Sequence, residues 1–209
     1  MNIPTIYIDK TGTINANMVY DGKEFILEIE EAKFISASLD MFQRFNGGSK
    51  ERLVVDGYNR LLNCILIFTF PITVLKDNIE NETSLEIELK IGSKEEPENH
   101  RISEQKLTVE NFSVKSEISS GIDLDKLIKH LPDNLKLKCC FTCSYSDYGV
   151  YGSLFFNGMF CFKNIKKEYL LTKDKYDYLE IMDKGTGLFF ETHLCEEYEK
   201  RTLQSGYRG

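Results

Sequence analysis

Along residues 3–115 apolar and polar positions alternate again and again, the period of a half-buried β-strand. Ile6 and Ile8 share one face of a strand over Ile3 to Asp9, and a second strand over Thr13 to Tyr20 follows Thr11-Gly12. Asp21-Gly22 then reads as a hairpin turn into Phe25, Leu27 and Ile29. Leu62 to Val74, with Ile65, Ile67, Phe68 and Phe70, predicts a buried strand. Ser84 to Ile91 alternates most clearly: Leu85, Ile87, Leu89 and Ile91 inward, Glu86, Glu88 and Lys90 outward. From Leu107 to Lys115 the phase slips between Val109 and Phe112, which predicts a bulge near Asn111. Phe34 to Phe45 reads two ways, because Leu39, Phe42 and Phe45 stand at helical spacing in a segment that also reads as irregular.

The period changes after Ser119-Ser120-Gly121. Leu124, Leu127, Ile128 and Leu131 fall at i, i+3, i+4 and i+7, one stripe of a short helix with Asp123 as its N-cap and Pro132 beyond its end. His130 lies off that stripe and His100 sits in a charged loop, so both read as solvated surface residues. The pattern predicts a mainly β (α+β) chain: an antiparallel β-sandwich or rolled sheet over residues 1–120, then one short helix and a small cysteine-containing module over 121–209. The two parts are expected to pack as one unit.

Composition narrows the function classes. The 209 residues are 42% hydrophobic and 28% charged, with only 4 prolines and 14 glycines, which fits a folded chain without a long low-complexity linker. The net charge of −7 lies wholly in residues 1–118, with 20 acidic against 13 basic residues; residues 119–209 carry 13 of each. No basic stripe is present, so binding along a nucleic-acid backbone is disfavoured. The acidic part either steers a basic partner or simply maintains solubility. Met1 to Tyr7 has neither a basic nor an apolar leader region. Leu61 to Leu75 is interrupted by Asn63, Thr69, Pro71 and Thr73, and is shorter than the ~20 residues of a membrane helix. The expectation is a cytoplasmic protein, whose six cysteines read as metal ligands or buried thiols rather than disulfides.

The cysteines carry the most specific chemistry. Cys140 and Cys143 form a Cys-x2-Cys pair on one tight turn, and Cys161 and Cys195 follow after gaps of 17 and 33 residues. Two further thiolates from distant segments can close a tetrahedral shell around Zn²⁺. The first gap suits a hairpin; the second is long. Spacing alone leaves open that Cys161, between Phe160 and Phe162, is a small buried hydrophobe. Cys139 points to the other side of the strand from Cys140 and reads as core or surface rather than a ligand, and Cys64, inside an apolar strand, reads as core.

Several spaced motifs then resemble an uncharacterised bacterial family, a domain of unknown function. They begin with Cys140-Phe141-Thr142-Cys143 and Tyr145-Ser146-Asp147-Tyr148, and continue with Gly158 to Asn164, Lys166 and Tyr169-Leu170. Glu191-Thr192, Leu194-Cys195, Glu199-Lys200-Arg201 and Gly206-Tyr207-Arg208-Gly209 complete the series. The likeness is tight over about residues 135–209 and loose over the β-rich part. It implies that Cys140, Cys143, Cys161 and Cys195 belong together as ligands of one zinc ion. The family usually has Tyr where His193 stands, which weakens His193 as a ligand, and a Pro near Gly149-Val150 that this chain lacks. A shell of four thiolates leaves no open position for water, so such a zinc is structural.

Catalytic readings are thin. His193 and Cys195 could share a strand face as base and nucleophile, but no third orienting residue is evident. Lys184-Gly185-Thr186-Gly187 lacks the spacing of a phosphate loop, and Glu30-Glu31 and Glu196-Glu197 are most simply solvated charge. Tyr145, Asp147, Tyr148 and Tyr151 form a candidate recognition loop, although the same rings could instead shield the sulfurs. Tyr207 and Arg208 could dock back to satisfy Asp147. The reading reached is a non-enzymatic protein that binds another protein, in one version an immunity-type protein neutralising a bacterial toxin. The alternative is an enzyme with a site around Asp147, Tyr148 and His193. A nucleic-acid interface on Lys163, Lys166, Lys167, Lys173 and Lys175 is weakened by the acids beside them.

Overall fold

Most apolar alternations in the first half of the chain become strands with one shielded face, although over residues 2–9 Ile3, Thr5 and Tyr7 are the buried ones and Ile6 and Ile8 are half-buried. The computed structural model describes residues 1–39, 41–47, 52–92, 101–109, 112–117, 124–149, 157–203 and 205–208. Strands β1 (Asn2–Asp9), β2 (Gly12–Tyr20), β3 (Phe25–Ile29), β4 (Ala32–Ser36) and β5 (Gln43–Asn46) form one antiparallel meander. β6 (Cys64–Lys76) pairs antiparallel with the other side of β1 and leads into β7 (Ile79–Ile91), β8 (Arg101–Val109) and β9 (Phe112–Glu117). The strand order is therefore β5-β4-β3-β2-β1-β6-β7-β8-β9. The chain is mainly β, and the ladders among the described residues of this sheet are antiparallel.

Turn chemistry fixes these registers. Asp9 Oδ1 accepts from Thr11 N at 2.7 Å and Gly12 N at 3.1 Å, closing the β1–β2 turn. Asp21 Oδ1 does the same for Lys23 N and Glu24 N, as the Asp21-Gly22 signal implies. Between β6 and β7 the two loop residues Asp77 and Asn78 both have positive φ, 51° and 67°, the backbone of a two-residue hairpin turn.

The inner face carries Ile3, Phe25, Leu27, Phe34, Leu66, Phe68, Leu85, Ile87 and Leu107, all fully buried. The ring of Phe42, just before β5, lies 6.2 Å from that of Phe68 on β6. β5 and β6 stand five places apart in the strand order, roughly 24 Å in a flat sheet at about 4.8 Å per strand. The sheet therefore curves so that its apolar face covers itself.

Three expectations need correction. Asn111 itself lies outside the described residues; on either side of it β8 and β9 are two strands rather than one bulged strand, paired antiparallel with Val109 opposite Phe112. The Phe34 to Phe45 segment ends in strands, with Leu39 and Phe42 buried and Phe45 68% exposed. And one short helix becomes three: α1 (Leu124–Lys129), α2 (Lys166–Leu171) and α3 (Lys175–Ile181). α1 buries Leu124 and Leu127, as its stripe requires. α3 begins at Asp174, whose carboxylate accepts from Tyr176 N and Asp177 N.

The chain divides into two compact units, Met1–Phe70 with Ser84–Leu127, and Pro71–Thr83 with Ile128–Gly209. The tip of the β6–β7 hairpin thus belongs to the second unit. There β10 (Leu135–Lys138) pairs with β6, from Leu135 opposite Lys76 to Lys138 opposite Thr73. Pro71, which lacks an N–H, falls between the stretches of β6 that pair with β1 and with β10. A separate three-stranded sheet, β11 (Ser146–Tyr148), β12 (Asn157–Cys161) and β13 (Leu188–Phe190), completes the second unit. Its core is aromatic: Phe162 stacks on Tyr169 at 4.6 Å and meets Tyr178 edge-on at 5.5 Å, with Cys143, Tyr145 and Ile181 around them. No helix among the described residues is long and apolar enough to cross a membrane.

Candidate metal centre

Cys140 to Thr142 make a single 3-10 turn, and Cys143 N donates to Cys140 O at 3.0 Å, so the two thiols of the pair project from one knuckle. Backbone from two later segments brackets it. Cys140 N donates to His193 O at 2.6 Å and Phe141 N to Glu191 O at 3.0 Å. On the other side Ser144 N donates to Glu199 O at 2.7 Å and Arg201 N to Thr142 O at 2.8 Å. Cys195 lies on the loop between these two anchored segments. Cys161, at the end of β12, stands opposite Ser146 on β11, three residues past the knuckle.

The thiols sense one another. Burial pushes the Cys140 thiol up, and Cys143, Cys161, Cys139 and Cys195 add to the rise in that order. Burial also raises Cys143, opposed by the Tyr145 and Glu199 N–H groups that point at its sulfur, with Cys161 and Cys195 adding upward. Cys140, Cys143 and Cys161 are buried and Cys195 is half-buried. Among the described residues no three His, Cys, Asp or Glu side chains form a group that could hold a metal ion as they stand.

Cys139 has a different role. It is fully buried, and burial lifts its thiol to about 11 while N–H groups of Thr142 and Phe141 pull the other way. Thr142 Oγ1 accepts from Cys139 N at 3.3 Å, so the pair caps the turn. Cys64 sits in β6 in the first unit, its thiol raised by burial and by Asp9. Both are core, as expected.

Beside the knuckle lies a buried polar cluster. Asp147 is 2% exposed; its Oδ1 accepts from Tyr148 N at 2.8 Å and its Oδ2 from the Tyr169 hydroxyl at 3.0 Å. Desolvation lifts its carboxyl to about 6 against the pull of Arg208, Tyr169 and Arg201. Arg208 reaches Asp147 Oδ1 at 3.9 Å, donates to Phe141 O at 2.6 Å and Ser146 O at 2.9 Å, and lies over the Phe141 ring at 5.2 Å. Arg201 donates to Ser146 O at 3.1 Å and to the Tyr169 hydroxyl at 3.3 Å. Gly206 allows this docking, since a Cβ there would run into the Tyr169 carbonyl.

Of the recognition-loop residues, Tyr145 is 6% exposed with its hydroxyl on Glu199 at 2.7 Å, and Lys166 sits 4.6 Å above its ring. Tyr148 is half-buried with its hydroxyl 2.7 Å from Glu191, and Tyr151 lies outside the described residues. His193 is exposed and stacks on Phe189 at 4.8 Å; desolvation and Lys163 hold it below its ordinary range. Lys163 and Lys166 pair with Glu197, and Lys166 also with Glu199, so part of the basic cluster is neutralised. Arg201 and Tyr169 organise this cluster; both stand in the family-like motifs of the sequence, which assign them no role. The signal that could have suggested one is the lone Asp147 set among tyrosines in Tyr145-Ser146-Asp147-Tyr148.

Together these features define an antiparallel-sheet protein with a thiol-rich second unit. Residues 1–146, more than half of the chain, match a family of unknown function (DUF6304), and the chain belongs to that family. The match takes in Cys140 and Cys143 and ends before Cys161 and Cys195. No curated protein and no solved structure matches the chain.

Proposed function

We propose that this chain is a non-enzymatic protein-binding protein, of the immunity type, built as a rolled antiparallel sheet with a second unit held by a structural zinc on Cys140, Cys143, Cys161 and Cys195. The observation that carries the zinc reading is that backbone of residues 191–193 and 199–201 brackets the Cys140–Cys143 knuckle by hydrogen bonds while Cys161 stands opposite Ser146 on β11, so three separate cysteine-bearing segments meet at one turn. Two features of the knuckle add support. The N–H groups aimed at the Cys143 sulfur are the outer-shell donors that a metal-bound thiolate needs. Loss of the thiol protons to zinc would also remove the cost that burial imposes on separate thiolates.

Binding rather than catalysis is favoured by the fate of Asp147. Both its oxygens are engaged by internal donors at 2.8 and 3.0 Å, and it is 2% exposed, which leaves little for a substrate. The enzymatic alternative around Asp147, Tyr148 and His193 would need that cluster to open.

Metal analysis of the purified full chain should find about one zinc per chain. Cys195→Ser should lose most of it and lower the midpoint of thermal unfolding, because metal binding to a structural site is coupled to folding. A metal-free preparation of full stability would sink the zinc reading.

A further inference from the structure

The outward face of an antiparallel sheet normally carries polar residues, yet β2 to β4 carry an apolar row there. Val19 stands opposite Ile26, Ile26 opposite Ile35, and Ile35 opposite Gln43 of β5. Val19, Ile26 and Ile35 are each half-buried rather than covered. The row runs into a cavity of about 490 Å³ lined by Glu24, Ile35, Met41, Gln43, Arg44 and Phe45, among others. That volume falls within the roughly 300–1,000 Å³ of ordinary binding sites.

The cavity is open, and beside its polar lining of Glu24, Ser36, Ser38, Gln43 and Arg44 it carries bared apolar side chains. Met41 is 52% exposed and Phe45 68%, and Tyr58, whose carbonyl accepts from Gln43 Nε2 at 3.0 Å, is 73% exposed. Large side chains bared together beside a cavity are a mark of an interaction site, whereas scattered ones are ordinary surface.

Charge selects the occupant. The first unit carries 19 acidic and 13 basic residues, a net −6. Near the cavity the arginines are tied down internally: Arg60 to Asp56 at 2.7 Å, and Arg44 to the Gly47 carbonyl at 2.8 Å. Glu24 lines the cavity, and Glu28 lies on the same outward face as Ile26, opposite Lys33. Lys33, opposite Glu28, does not reverse the net −6 of the unit. That field repels a second copy of the same unit and attracts a cationic one.

We propose that the β2–β5 face, with the Met41–Phe45–Tyr58 rim, is the docking surface for a basic partner protein that places an apolar side chain in the cavity. The inference rests on the protein-binding reading and names the surface and the chemistry of the partner. The zinc centre plays no part in it.

The test uses the full chain and three fluorescent twelve-residue peptides: alternating Lys and Leu, alternating Lys and Ser, and alternating Glu and Leu. Binding by anisotropy at 150 mM salt should rank Lys–Leu first. Phe45→Ser and Met41→Ser, surface changes that leave the core intact, should each weaken the Lys–Leu peptide at least about tenfold. Glu24→Lys should weaken it further and leave circular dichroism unchanged. Equal binding of the Lys–Ser peptide, or indifference to Phe45→Ser, overturns this face while leaving protein binding elsewhere intact. Failure of all three peptides to bind overturns the basic, apolar partner. A concentration-dependent dimer in sedimentation that Phe45→Ser abolishes would show the occupant to be a second copy, and would also overturn it.

Discussion

An enclosed carboxylate is comfortable only as far as donors replace the water around it, and for Asp147 they do so incompletely. Tyr148 N, the Tyr169 hydroxyl and two guanidinium groups surround it, yet its carboxyl still titrates near 6, above the ordinary 3.8. Because the folded value is the higher one, the stabilising contribution is full below about pH 4 and is lost as pH rises through 6. The displacement corresponds to about 3 kcal/mol. Asp9 behaves oppositely. Desolvation raises it, but bonds from Thr11 and Arg52 outweigh that and hold it low, so its contribution is lost as pH falls. A whole stability curve mixes the two, so the informative quantity is a difference. The stability of the native protein minus that of Asp147→Asn should fall by up to about 3 kcal/mol between pH 4 and pH 7. A flat difference would remove Asp147 as a titrating buried group. Residue identity announced the cysteines readily, because thiols at fixed spacing have few uses. It did not announce a role for Arg201 or Tyr169, since arginine and tyrosine are ordinary surface residues until a backbone turn brings their partners near.

The β6–β7 hairpin shows how elements are specified. Asp77 and Asn78 both occupy the left-handed region, which disfavours branched side chains. Asn78→Val is expected to cost about 1–2 kcal/mol in denaturant unfolding, while Asn78→Gly stays within about 0.5 kcal/mol of the native chain. Equal effects of the two would mean that the turn adopts another backbone. That turn was as readable as Asp21-Gly22, and it lay just beyond the strand ends that the apolar runs suggested. The long alternations of β1, β2, β3 and β7 are legible because one face of each is buried and the other wet. β8 and β9 were not separable by pattern, because a two-residue reversal and a bulge slip the phase alike. α2 and α3 are six and seven residues long, too short for a stripe to stand out, although Asp174 and the Tyr178–Ile181 spacing were available.

For the molecule as a whole, the two units call on different sources of stability. The first buries a broad apolar sheet face of aliphatic and phenylalanine side chains. The second has a small aromatic core, and on the reading proposed above it also has a metal. Treating the protein with a zinc chelator should therefore raise amide exchange across 128–208 and leave β1 to β5 protected. Uniform loss of protection across both units would contradict this. The β-rich class was legible in the alternation of apolar and polar positions. That alternation did not indicate that residues 71–83 join the second unit, since that membership depends on pairing with β10, nearly sixty residues away.

The distribution of rings has a practical side. The chain has no tryptophan and 11 tyrosines, of which only Tyr7, Tyr20 and Tyr58 precede residue 128. The stacked and edge-on pairs of Phe162, Tyr169, Tyr178 and Tyr207 are held rigidly enough to give a near-ultraviolet circular dichroism band. The intrinsic optical signal of this protein is thus dominated by its C-terminal half, and melting of that half can be watched without any attached dye.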